Sequence, residues 1–221
     1  MSIRSDTSTV IRSDQDWSSV QPIRQRTIAE MTREKIVLVA ASIFGEKGFV
    51  EATTRDIAAA AGIKAGSMYY HFKSKDEILD EILSESVQLL KSALEEALSV
   101  MPLGVTYSEQ LKTAIEVHLN TLYARTPRAV FYRVYASIPP AMRKRNLAQR
   151  REYGRIWLRI IRGGVASGEF KPTLDERLQV LLLLGVLADT MNWYRLELFS
   201  VEVLARAIFE REIAGIGKAQ G

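Results

Sequence analysis

The stretch from residue 53 to residue 75 constrains the fold of this chain more than any other. Its pattern predicts two short helices around a tight turn. Thr53 or Thr54 can cap the first helix, because a hydroxyl accepts a hydrogen bond from an unpaired first-turn N–H group. Gly62 can end that helix, since glycine tolerates the left-handed conformation, and the second helix runs to about Phe72. This arrangement is typical of a helix-turn-helix, whose second helix enters the major groove of DNA.

The polar residues of the same stretch suit an anionic partner. From residue 62 to residue 75 the chain carries Lys64, Lys73 and Lys75 and no acidic residue. Hydroxyl and imidazole groups between these lysines match phosphates and base edges. An ordinary helical hairpin with exposed lysines has the same spacing, so spacing alone leaves both interpretations open.

Residues 33–83 resemble the N-terminal domain of TetR-family transcriptional regulators. The residues that carry the resemblance are Ala40-Ala41-x-x-Phe44-x-x-x-Gly48-Phe49, Thr53-Thr54-Arg55-Asp56-Ile57-Ala58, Ala61-Gly62-Ile63, Gly66-Ser67-Met68-Tyr69-Tyr70-His71-Phe72 and Lys73-Ser74-Lys75-Asp76-Glu77-Ile78-Leu79. The match covers roughly a quarter of the chain without a gap. It implies a dimeric DNA-binding regulator acting on a palindromic operator in double-stranded DNA.

The resemblance also implies which residues meet DNA. Base edges are expected to face Arg55, Ala65, Gly66 and Ser67, and Tyr69 is expected at a base or a phosphate. Phosphates are expected at Thr54, Lys64, His71 and Lys75. The pair Lys64-Ala65 departs from the polar pair common in the family, so the base preference cannot be copied from a relative.

Composition fits a globular DNA-binding protein and favours no enzyme class. The chain has 221 residues, 47% of them hydrophobic, a net charge of +4 and no cysteine. We find no signal-peptide core and no apolar run of membrane-spanning length, so we expect a cytoplasmic protein. The two histidines, His71 and His118, form no paired-histidine metal motif, and no glycine-rich phosphate loop follows a strand. We therefore expect no catalytic residue, no metal and no cofactor. A helical enzyme or ligand carrier with a purely structural hairpin is the alternative.

Apolar periodicity predicts an all-α chain of about nine helices. We expect a flexible arm at residues 1–31, a helix-turn-helix domain at 32–75, a ligand-binding and dimerisation domain at 76–215, and a tail at 216–221. Ser74 is expected to cap a long helix that runs to about Val100 and joins the two domains. The arm carries several arginines that suit a DNA groove, and an unstructured leader is the alternative.

The predicted helix that includes residues 178–198 is apolar on every side, which is typical of a helix buried all round. Leu181, Leu184 and Ala188 are candidates for a dimer interface. The last helix offers a second apolar stripe, formed by Val201, Leu204, Ala205, Ile208 and Phe209. A core helix without a partner chain is the other interpretation.

Four arginines recur on one side of the helix that follows Pro140: Arg151, Arg155, Arg159 and Arg162. Aligned arginines gain from an anionic neighbour, so this row is a candidate ligand contact. A solvated charged face is the plainer interpretation.

Aromatic and polar side chains of the larger domain suggest an effector site. The candidates are His118, Leu122, Phe131, Tyr135, Trp157 and Trp193, together with Arg151, Arg155 and Arg159. Residues 151–153, 168–170 and 191–194 are similar to TetR regulators that respond to acyl-CoA thioesters. That similarity implies a small-molecule effector that releases a repressor from its operator by tilting the long helix. A hydrophobic drug or aromatic compound is the rival effector, and activation in place of repression stays open.

Overall fold

A computed structural model describes residues 27–124, 134, 144, 147–172 and 175–217 of the chain. The described residues form eight helices: α1 (Ile28–Lys47), α2 (Thr54–Ala61), α3 (Ala65–His71), α4 (Lys75–Ser99), α5 (Tyr107–Leu122), α6 (Leu147–Ser167), α7 (Glu176–Trp193) and α8 (Val201–Ile216). Within these residues the only β pairing is one isolated bridge between Phe170 and Gly217. The all-α prediction is confirmed. The ninth predicted helix, from Pro127 towards Pro139, lies outside the described residues except for Val134.

Polar caps decide where most of these helices begin. Thr53 accepts from the Asp56 N–H at 3.1 Å, and the Asp56 carboxylate accepts from the Thr53 N–H at 3.0 Å. Ser74 caps α4 as predicted. Thr27 forms the same kind of reciprocal box with Glu30. Helix α1 therefore starts at Ile28, inside the segment expected to be a flexible arm, while residues 1–26 lie outside the described part.

Two separate apolar cores organise the chain. The first core joins α1, α2 and α3 to the first turns of α4, through Ile78, Leu79, Ile82 and Leu83, and also contains Val134. The second core joins the later part of α4 to α5, α6, α7 and α8. Leu89 contacts both cores. Helix α4 thus contributes to both cores.

Two glycines of α6 permit close packing and do not end the helix. A Cβ on Gly163 would lie 2.0 Å from the Tyr107 ring, and one on Gly164 would lie 2.2 Å from the Phe170 ring. Helix α6 continues past both glycines to Ser167. Their small size lets α5 and the buried Phe170 approach the α6 backbone.

Candidate nucleic-acid interface

The turn between α2 and α3 is fixed by backbone hydrogen bonds. Gly62 adopts the left-handed conformation with φ 68°, and its N–H donates to the Ala58 and Ala59 carbonyls. The next N–H, that of Ile63, donates to the Ala58 carbonyl at 3.0 Å. At the start of α2 the Asp56 carboxylate accepts hydrogen bonds from the Thr53 hydroxyl and N–H, and these bonds hold its pKa below the ordinary value. The angle between the two helices is therefore set locally, as the sequence predicts.

Helix α3 is held from beneath and exposed on its outer side. Met68 and Phe72 are buried in the first core. Tyr69 and Tyr70 are exposed by 60% and 93%. An outer surface with two exposed tyrosines is available for contact with a groove or a backbone, and tyrosine can both stack and hydrogen-bond. Tyr70 was absent from the candidates, although its polar tip beside Tyr69 was a visible signal.

The other predicted DNA contacts lie on α2, on α3 and at the turn between them. Four of them are exposed and three are half-buried. The exposed ones are Arg55, Lys64, Ala65 and Gly66, and the half-buried ones are Thr54, Ser67 and His71. A helix-turn-helix contacts DNA mainly through its second helix, which corresponds to α3 in this chain.

Lys75 differs from the other predicted contacts because its ammonium points into the protein. Its Nζ donates to the carbonyls of Phe49, Val50 and Ala52 at 2.7, 3.1 and 2.8 Å. A lysine has three N–H donors, so none is left for a phosphate in this conformation. The geometry conflicts with the predicted phosphate contact and gives Lys75 a role in holding the loop between α1 and α2.

The interior of the larger domain contains a cluster of three aromatic side chains, His118, Tyr153 and Trp157. His118 Nδ1 lies 2.8 Å from the Tyr153 hydroxyl, and the His118 and Trp157 rings meet edge to face at 6.0 Å. Burial lowers the pKa of His118 to about 4, so the imidazole is neutral near pH 7. Trp157 is fully buried, and no acceptor among the described residues reaches its Nε1. Tyr153 was missed because a tyrosine between arginines resembles a surface residue.

The arginine row lies on the opposite side of α6 from this cluster. Arg151, Arg155 and Arg159 are exposed, and the Arg162 Nε donates to Glu176 at 2.9 Å. Arg155 and Arg159 are each two residues from Trp157, which is a rotation of about 200° around a helix. A helix with side chains is about 10 Å across. The structure therefore separates two sets of residues that the sequence analysis assigned to one ligand.

The remaining ligand candidates are divided in the same way. Leu122 is buried in the second core near His118. Trp193 is 54% exposed at the end of α7. Phe131 and Tyr135 lie outside the described residues. Only His118, Leu122 and Trp157 share the interior of the larger domain among the candidates that the structure describes.

Helix α7 is buried on one side only, so the expectation that it is buried all round was wrong for the single chain. Val180, Leu183 and Leu187 pack into the second core, while its outer side exposes Leu178, Leu181, Leu182, Val186 and Ala188. The expected stripe of α8 turns inwards, with Leu204 and Ala205 buried. In their place α8 exposes Val203 next to charged residues.

Neither a metal site nor a membrane span emerges from the described ranges. Their His, Asp and Glu side chains form no group of three or more that could hold a metal ion. None of the helices in those ranges is both long enough and apolar enough to cross a membrane.

Two family models match the chain and together cover more than half of it. Residues 36–82 match the model described as "Bacterial regulatory proteins, tetR family", and residues 104–209 match "Tetracyclin repressor-like, C-terminal domain". The chain belongs to the TetR family. The expectation of a transcriptional regulator that is not an enzyme is confirmed, and TetR regulators are ligand-responsive DNA-binding proteins that are typically dimers.

The similarity to other TetR regulators extends over most of the chain. The HTH-type transcriptional repressor KstR2 of Mycolicibacterium smegmatis is 28% identical over 86% of this chain and 92% of its own length. The fatty acid metabolism regulator protein of Bacillus subtilis is 25% identical over 82% and 94%. Among solved structures, the TetR-family transcriptional regulator PfmR from Thermus thermophilus matches with a TM-score of 0.67. Its sequence is 29% identical, and the match covers 81% of this chain and 97% of PfmR. This TetR chain thus resembles whole regulators and not only their DNA-binding domains.

Proposed function

We propose that this TetR regulator is a repressor that binds a palindromic operator through α3. The exposed outer side of α3 carries this proposal, because Met68 and Phe72 hold the helix from beneath while Tyr69 and Tyr70 face outwards. Arg55, Ala65, Gly66 and Ser67 are the proposed base contacts, and Thr54, Lys64 and His71 the proposed phosphate contacts. Cytoplasmic location stays a prediction.

Replacement of Arg55 tests the proposed base contact. Arg55 is exposed at the start of α2, and an arginine that reads a base contributes about 1–3 kcal/mol of discrimination at one position. We expect Arg55→Ala to relax the preference at one operator position while binding to random duplex falls much less. Lys47→Ala is the control, since Lys47 lies at the end of α1 near Asp56. Equal losses on operator and random duplex for Arg55→Ala would show that Arg55 reads no base.

We propose that a second copy of the chain packs against the outer side of α7 and forms a homodimer. A helix side that exposes Leu178, Leu181, Leu182 and Val186 is costly to leave in water. The twofold symmetry of a dimer also matches a palindromic operator. Two α7 helices, together with the side of each α8 that exposes Val203, would then form a four-helix interface.

Two exposed alanines provide a matched test of this interface. Ala188 lies on the outer side of α7 and Ala166 lies on α6. Ala188→Arg would bury an unpaired charge between two chains and should give a monomer in sedimentation experiments. Ala166→Arg should stay dimeric. A folded dimer with Ala188→Arg would remove α7 from the interface.

The effector proposed for the larger domain is an acyl-CoA thioester. A relative named as a fatty acid metabolism regulator and a solved regulator titled as a ketosteroid transcriptional regulator support an effector with an apolar body. In this chain, the unpaired Trp157 Nε1 supplies a buried donor for a carbonyl oxygen beside the neutral His118. The acyl part is proposed to bind near His118, Leu122 and Trp157. Phosphates of the CoA part are proposed to meet the exposed Arg151, Arg155 and Arg159, which requires the nucleotide to lie outside the bundle.

Release of the protein from operator DNA by added effector tests the proposed acyl contact and the proposed phosphate contact separately. We expect a long-chain acyl-CoA to release the operator duplex while the matching free acid does not. Trp157→Phe removes the indole donor together with part of the ring volume, and should raise the acyl-CoA concentration needed for release by at least about tenfold, the value of one buried hydrogen bond. Arg155→Ala with Arg159→Ala should raise it as well, and Arg177→Ala serves as the exposed control. Equal release by the free acid or by a neutral aromatic compound would exclude the CoA thioester.

A further inference from the structure

Two cationic side chains attach the helix-turn-helix to the beginning of α4. They are Arg33 on α1 and Lys75, the first residue of α4. We propose that Arg33 and Lys75 are positioning residues that fix the orientation of α3 relative to α4. With both in place, the recognition helix and the first turns of α4 move as one body, and a tilt of α4 reaches the DNA contact without loss.

Arg33 joins three elements through one planar group. Its Nε donates to Glu81 Oε1 at 3.1 Å, and one terminal nitrogen pairs with the other oxygen of the same carboxylate on α4. The other terminal nitrogen donates to the carbonyl of His71, the last residue of α3. The guanidinium also lies 3.9 Å from the centre of the Phe72 ring. Because a guanidinium holds its donors in a rigid fork, these contacts fix angles as well as distances.

Lys75 makes a corresponding attachment at the other end of the helix-turn-helix. Its three carbonyl acceptors, on Phe49, Val50 and Ala52, belong to the loop that leads into α2. The ammonium also lies 4.6 Å from the centre of the Phe49 ring. Arg33 therefore holds the end of α3, and Lys75 holds the segment before α2.

Apolar packing alone would leave this orientation less well defined. Ile78, Leu79 and Ile82 of α4 are fully buried in the first core, but burial of apolar surface has no preferred direction. Hydrogen bonds weaken steeply when the donor is turned away from the acceptor. The two cations supply directional contacts at the point where a small rotation of α4 would move the base-reading surface of α3.

Amide hydrogen exchange of the free protein tests this proposal without DNA. In Arg33→Lys and Lys75→Met, we expect the amides of α3 to exchange at least about tenfold faster, because local opening becomes easier, while core amides of α1 keep their wild-type rates. Arg33→Lys preserves the charge, but one ammonium cannot serve both carboxylate oxygens and the His71 carbonyl. Lys91→Met is the control, since it breaks the 3.1 Å ion pair of α4 with Glu152 outside the small domain. Equal acceleration in α1 and α3, or wild-type exchange in Arg33→Lys, would overturn the proposal.

A second measurement links the same residues to DNA recognition and rests on the proposed function. The probes are a duplex selected from a random pool by the wild-type protein and a scrambled duplex of the same composition. We expect Arg33→Lys to lower the ratio of the two affinities by at least about tenfold, as for loss of one good base contact. An unchanged ratio would overturn the positioning role. Failure of the wild-type protein to discriminate the duplexes would instead count against the proposed function, which keeps the two failures distinct.

Discussion

Burial of His118 makes the stability of this protein depend on pH in a calculable way. Its pKa falls from an ordinary 6.5 to about 4 because burial penalises the charged imidazole. Protonation of His118 is therefore less favourable in the folded state than in the unfolded state. The contribution of neutral His118 to the free energy of unfolding is fully present above about pH 6.5 and is lost as the pH falls towards 4. Linkage with these two pKa values gives a loss of about 2 kcal/mol between pH 7 and pH 5, and about 3 kcal/mol at pH 4.

Urea unfolding at pH 7 and pH 5 measures this loss, at one chain concentration because a dimer is expected. His118→Gln keeps a polar group near the Tyr153 hydroxyl and removes the titration, so its stability should fall by about 2 kcal/mol less than that of the wild type over this interval. The comparison cancels the carboxylates that titrate in both proteins. Equal losses in the two proteins would refute the buried, neutral state of His118.

Two further substitution pairs test the packing and the DNA surface. Gly164→Ala should destabilise the protein by about 1–3 kcal/mol, since its Cβ would meet the Phe170 ring at 2.2 Å. The control is Gly154→Ala on the same helix, whose Cβ would meet nothing within 4 Å and which should be neutral or stabilising. Thermal unfolding measures both effects. Lys64→Ala should reduce the salt dependence of DNA binding by about one unit of slope. Lys75→Met should leave that slope unchanged, because its ammonium already has three carbonyl acceptors; a loss of one unit would restore Lys75 as a phosphate contact.

Local signals in the sequence predict the small domain well. Thr53, Gly62 and Ser74 each act within a few residues of their own position, so both ends of α2, the start of α4 and the turn between α2 and α3 follow from them. The same reasoning applies to Thr27 and Glu30, whose reciprocal cap was visible in the sequence and was overlooked. The prediction of α1 failed at its start for that reason alone.

Tertiary contacts explain what the sequence analysis missed. The inward direction of Lys75 depends on three carbonyls of a loop whose path is not encoded by residue spacing. The close approach of Phe170 to Gly164 likewise joins a loop to a helix. The separation of Arg155 and Trp157, in contrast, could have been predicted from the sequence, since helical geometry alone places residues two apart on opposite sides of a helix.

Competition between operator and random DNA over a range of salt concentrations tests the central claim most directly. The probe is the duplex selected by the wild-type protein, and the competitor is a scrambled duplex. We expect the affinity for both to fall linearly with salt on logarithmic axes, and the selected duplex to bind at least about a thousandfold more tightly near physiological salt. Binding that does not depend on salt, or equal affinity for the two duplexes, would contradict a role for α3 in reading an operator.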